Sequence, residues 1–151
     1  MTQPGPRRTT FSFAAPIDDA AALRLRLDDF ATRVVDGFTD SFTRVEPQLG
    51  PRPADALSFE VQLKDGTWVE GLVTNPCPEM GAIMVGKVSA SEAAEFAVWL
   101  RDSYAPAPDL VEFTTEFAMD VGEDTPWQVP ARCSVDELAA LFQRHIDTFD
   151  R

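Results

Sequence analysis

The chain has 151 residues with 25 acidic and 13 basic side chains, a formal charge of −12. That field repels phosphate backbones and anionic lipid, so nucleic acid and membrane surfaces are excluded as partners, and a basic protein surface is favoured. No apolar run approaches the roughly 20 residues of a membrane span, and 44% hydrophobic content with 11 Phe and 3 Trp fills one core. A single α+β domain in the cytoplasm is the expectation.

Residues 1–10 are polar, carry Pro4, Gly5 and Pro6, and read as a mobile N-terminal arm without the apolar stretch of a secretory signal. The domain itself is expected over residues 11–151. Leu23, Leu27, Phe30, Val34 and Phe38 recur at helical steps, which predicts a helix from near Asp18. Asp18 and Asp19 lie where negative charge suits the helix dipole. Gly37 is a candidate end or bend of this helix, with an extension of its face through Phe42 to about Arg44 as the further reading. Pro47, Gly50, Pro51 and Pro53 form a stiff connection.

Leu57, Phe59, Val61 and Leu63 then alternate with Ser58, Glu60, Gln62 and Lys64, the period of a strand. Asp65-Gly66 suits a tight hairpin, with Thr67 to Thr74 returning. A two-residue turn sets Val61 opposite Glu70 and points Glu70 at the core. A bulge near the turn instead brings Val69 and Val73 inward and Glu70 outward, and this reading is preferred. Asn75-Pro-Cys-Pro-Glu is a loop, and Gly81 to Val88 a third strand with Ile83 and Val85 on one side and Met84 and Val88 on the other.

Ser89 with Glu92, and later Ser134 with Glu137, have capping-box spacing and open helices. The first buries Ala93, Phe96, Ala97, Leu100 and Tyr104. The second buries Leu138, Leu141, Phe142, Ile146 and Phe149, with His145 at the edge. Between them, alternation from Leu110 to Val121 predicts a strand with Phe113, Thr115, Phe117 and Met119 inward. A short extended piece follows at Trp127 and Val129. The order is α-β-β-β-α-β-(β)-α, an antiparallel β-meander sheet with flanking helices.

Chemistry is sparse. One histidine, two lysines, and Cys77 and Cys133 outside any CxxC motif build neither a nucleophile–base pair nor a four-ligand zinc site. The cysteines read as small core or loop residues of a reduced compartment, with a Cys77–Cys133 disulfide as the competing reading. No phosphate-binding glycine motif occurs. The expectation is a binding protein without catalytic residues, cofactor or metal.

Two features remain as candidate partner-binding surfaces. Residues 108–151 hold 10 acidic and 3 basic side chains. Within them Glu112, Glu116 and Asp120 fall at steps of four along the predicted strand, an acidic stripe able to meet a basic partner. Trp68, Trp99 and Trp127 are candidate interface anchors. The element order, from the opening helix through the Leu57–Leu63/Thr67–Thr74 hairpin to the Ser134-capped helix, resembles the class I type III secretion chaperones and the related YbjN-like proteins. The resemblance implies a dimeric chaperone-like module that binds a segment of another polypeptide. The alternative is an immunity- or antitoxin-like inhibitor masking a basic toxin with its acidic face.

Overall fold

Thr9, Phe11, Phe13 and Ala15 are buried while Thr10, Ser12 and Ala14 are half-buried, and this alternation makes Thr9–Ala14 the first strand, β1. The computed structural model describes residues 7–45, 56–74 and 81–150. The expected arm therefore ends early. Arg8 donates to Lys87 O and to both oxygens of Glu92, and Thr9 already pairs with Val88. Residues 1–6 of that arm lie outside the described residues.

The following elements are α1 (Leu27–Gly37), β2 (Ser41–Val45), β3 (Ala56–Gln62), β4 (Trp68–Thr74) and β5 (Ala82–Val88). Next come α2 (Ala90–Trp99), β6 (Glu112–Thr115), α3 (Glu116–Asp120), β7 (Trp127–Gln128) and α4 (Val135–Phe149). The strands form one antiparallel sheet in the order β2-β3-β4-β5-β1-β6-β7. Thus β3 to β5 are the expected meander, β2 adds an unexpected strand at its edge, and β1 inserts between β5 and β6. The molecule is an α+β domain.

Several boundaries correct the sequence reading. The first helix begins at Leu27, not near Asp18, which lies in a 3-10 turn over Ile17–Asp19. Arg24 takes a left-handed φ of 50°, which ends any helix there, and lets Leu23 and Leu25 both bury. Phe42 does not extend α1. Phe38 is already extended, and Ser41–Val45 pairs with β3 as an edge strand. The Pro47–Pro53 connection and the Asn75 loop with Cys77 lie outside the described residues, so the Cys77–Cys133 pairing does too.

At the hairpin, Gly66 N–H donates to Leu63 O, Leu63 N–H donates to Thr67 O, and Gly66 has φ 92°. This is a three-residue loop with glycine at the left-handed position. The extra residue shifts the register by one, pairing Val61 with Val69 and Glu60 with Glu70. The bulged alternative is therefore the one adopted. Val69 and Val73 are buried and Glu70 is exposed.

A second bulge, around Gly86–Lys87 where β5 meets β1, brings Val88 onto the same face as Ile83 and Val85. That corrects its expected pairing with Met84.

Both capping boxes form, with Glu92 N–H donating to Ser89 Oγ and Glu137 N–H to Ser134 Oγ. Helices α1, α2 and α4 pack on one face of the sheet, against a phenylalanine core. Phe142 of α4 lies 4.8 Å from Phe11 and 4.5 Å from Phe113 between ring centres, and Phe96 of α2 lies 5.6 Å from Phe59. Phe30 of α1 completes the layer, 5.3 Å from Phe59. Each such ring contributes roughly 1.5–3 kcal/mol by leaving water.

Candidate functional site

Alternation gives every strand a second set of side chains, and no described helix covers these. Pairing places Arg44, Ser58, Leu72, Met84, Ser12 and Thr114 in one row across the open face. A neighbouring row runs Phe42, Glu60, Glu70 and Gly86. Leu72 and Met84 are half-buried at the centre, among small or hydroxyl-bearing neighbours.

The outstanding feature lies at one end of this face. Phe42 is 64% exposed and Trp68 45%, yet their rings stack at 5.7 Å with 24° between planes. Phe42 stands on β2 and Trp68 on β4, so the rings meet above β3, which runs between them. Beside them Glu60 and Glu70 sit directly opposite each other, both exposed. Like charges so placed oppose pairing of the strands. Neither carboxylate forms an ion pair or side-chain hydrogen bond among the described residues.

Two hollows flank the carboxylates. One, of about 370 Å³, is bounded by Phe42, Arg44, Ser58, Glu60 and Glu70. The other, of about 400 Å³, is bounded by Thr10, Glu60, Trp68, Glu70, Gly86 and Lys87. A Cβ built on Gly86 would meet only Thr10 Oγ1, at 4.0 Å, so the absence of a side chain there leaves the second hollow open.

A larger cleft of about 550 Å³ lies on the helical side, where Gly37–Asp40, Gln62–Lys64, Glu95, Val98, Trp99 and Val135 converge. Here Lys64 N–H donates to Glu95 Oε2 at 2.9 Å. A Cβ on Gly37 would fall 2.2 Å from Trp99 Nε1, so only glycine lets this backbone rest on the indole. That contact builds the cleft wall.

The acidic stripe is not one strand face. β6 ends at Thr115, whose hydroxyl accepts the Ala118 N–H and caps α3. Glu112 is half-buried on β6, Glu116 opens α3, and Asp120 closes it. Burial, reinforced by Asp18, raises the Glu112 carboxyl above its ordinary pKa. The same turn leaves Met119 exposed rather than inward, while Ala118 is buried.

Of the three tryptophans, only Trp68 presents its ring to solvent in this way. Trp99 packs against Phe30, Phe38 and Phe96, and Trp127 against Phe113, His145 and Phe149. Sequence reasoning missed Phe42, because a helical period was continued through it. The short alternation of Ser41, Phe42, Thr43 and Arg44 was the available signal.

His145 is 0% exposed, which corrects its expected place at the helix edge. Its Nε2 lies 2.9 Å from Thr115 Oγ1, and its Nδ1 has no hydrogen-bond partner among the described residues. Enclosed by Phe113, Trp127 and Phe149, the ring resists protonation, and burial lowers its pKa to about 4. It holds α4 to the end of β6 and faces neither the open sheet nor the cleft.

No helix among the described residues is long and apolar enough to cross a membrane. Compared with family models, curated proteins and solved structures, the chain matches none.

Proposed function

We propose that this protein is a non-enzymatic binding module whose open sheet face takes an extended segment of a partner polypeptide. One observation carries the reading: an exposed, stacked Phe42–Trp68 pair shares with half-buried Leu72 and Met84 a face that no described helix covers. Large aromatic side chains held rigidly in water anchor interfaces with little further ordering cost. The net charge of −12 favours a basic partner over an acidic one.

The chaperone-like expectation fits this reading better than the inhibitor built on Glu112, Glu116 and Asp120. Those three carboxylates are split between a strand and both ends of a short helix, so they present no single row.

A display selection from random dodecapeptides tests the proposal. Selected peptides should lose binding to Leu72→Glu and Met84→Glu variants whose thermal transitions are unchanged. Peptides that tolerate both variants but lose binding to Val135→Glu, at the helical cleft, would overturn it.

A further inference from the structure

We infer that the Phe42–Trp68 pair and the Glu60–Glu70 pair together form a receptor for one arginine side chain of the bound segment. The inference rests on the polypeptide-binding reading and adds which side chain is read, and where.

The first argument is electrostatic. Two carboxylates directly opposite each other on neighbouring strands weaken the sheet that carries them. Arg44 lines one hollow and Lys87 the other, and among the described residues neither forms an ion pair with Glu60 or Glu70. Among the described residues the two opposed carboxylates thus have no ion-pair partner. An incoming cation relieves that repulsion, so part of its binding energy comes from a cost already present in the fold.

The second argument is shape. A guanidinium is planar, donates five N–H bonds in a fixed fork, and stacks on aromatic faces. Glu60 and Glu70 supply two acceptors side by side, and Phe42 and Trp68 supply exposed rings beside them. An ammonium has three donors on a compact head and covers less of either pair. Two carboxylates are too few oxygens for calcium, which takes a larger set of ligands. Arginine is therefore the cation this surface fits.

The third argument is room. The hollow beside Trp68, Glu70 and Gly86 is kept open by a residue with no side chain. Gly86 does not have a left-handed φ, so a larger residue enters there without backbone strain. Filling this hollow removes space and leaves the four recognising residues untouched.

The test uses a capped heptapeptide of alternating threonine and valine with one central arginine, titrated by calorimetry. The same peptide with central lysine, citrulline or glutamine is the comparison. The arginine peptide should bind about tenfold more tightly than its citrulline counterpart, from charge-assisted bonding and cation–π contact combined. Lysine should fall between them.

Trp68→Leu, Glu70→Gln and Gly86→Leu should each reduce the arginine preference with their thermal transitions retained, and Trp68→Phe should keep most of it. Equal binding of arginine and citrulline peptides, lost on Met84→Glu, would overturn the arginine receptor and leave the open-face reading standing. Failure of every peptide to bind would overturn both. Arginine preference that survives Trp68→Leu combined with Glu70→Gln would place the receptor elsewhere and sink the assignment.

Discussion

The same strands present two faces of opposite character. On the helical side Phe11, Phe13, Phe59 and Phe113 are buried under α1, α2 and α4. On the other, Ser12, Ser58, Leu72 and Thr114 are half-buried, and Phe42 and Trp68 stack in water. A one-residue slip of register would exchange the two sets. The three-residue loop at Gly66 fixes that register, placing Val69 inward and Glu70 outward. Aromatic content alone does not identify a core: stability resides on the covered face, and recognition is proposed for the one that no described helix covers.

Substitutions sharpen this contrast, beginning with the largest effect. Phe142→Ala removes a ring packed on Phe11, Phe13 and Phe113. It should cost about 3–5 kcal/mol in urea unfolding. A cost below about 1 kcal/mol would show that α4 is not part of the principal core.

His145 breaks the symmetry through pH. Its folded pKa is depressed to about 4 from an ordinary 6.5, so between these values the unfolded chain binds the extra proton. Stability therefore falls as pH drops from about 6.5 to about 4, by about 3 kcal/mol for this group. The difference between wild type and His145→Gln isolates it from the carboxylates, and the variant should show the shallower pH slope. Identical slopes would mean that the ring is hydrated.

Ser134→Ala removes the α4 capping box and should cost about 1 kcal/mol, read from the shift in urea midpoint. The smallest effects belong to the open face. Trp68→Leu should change stability by no more than about 0.5 kcal/mol. Glu70→Gln should stabilise by about 0.2–1 kcal/mol, since it removes a directly opposed like charge, while weakening arginine-peptide binding. A destabilised Glu70→Gln would mean that the carboxylate holds the sheet together, and it would break the proposed division between the faces.

Strong local signals were legible in the sequence. The two Ser-x-x-Glu boxes and the Leu57–Leu63 alternation appear as read. Of the final helix face, Leu138, Phe142 and Ile146 are buried as read, while His145 joins them from its expected edge. What failed depended on partners distant in the chain. β1 is six residues with three small hydroxyl side chains, and its identity as an inner strand comes from β5 and β6 on either side. The strand beyond Leu110 alternates as far as Met119, but Thr115 spends its hydroxyl on a helix cap and the alternation loses. The acidic stripe disappears with it. Trp68 was found as a candidate because tryptophan is conspicuous, whereas its stacking partner Phe42 was hidden by a helical period continued past the true end of α1.

The most direct test of the central claim reads the three tryptophans at once. Their indole N–H signals form a separate group in a nitrogen–proton correlation spectrum, one each from Trp68, Trp99 and Trp127. Single Trp→Phe variants assign them. During titration with the central-arginine heptapeptide, the Trp68 signal should shift progressively while those of Trp99 and Trp127 stay in place. Movement of Trp99 with Trp68 fixed would put the peptide in the helical cleft and contradict the assignment of recognition to the open face.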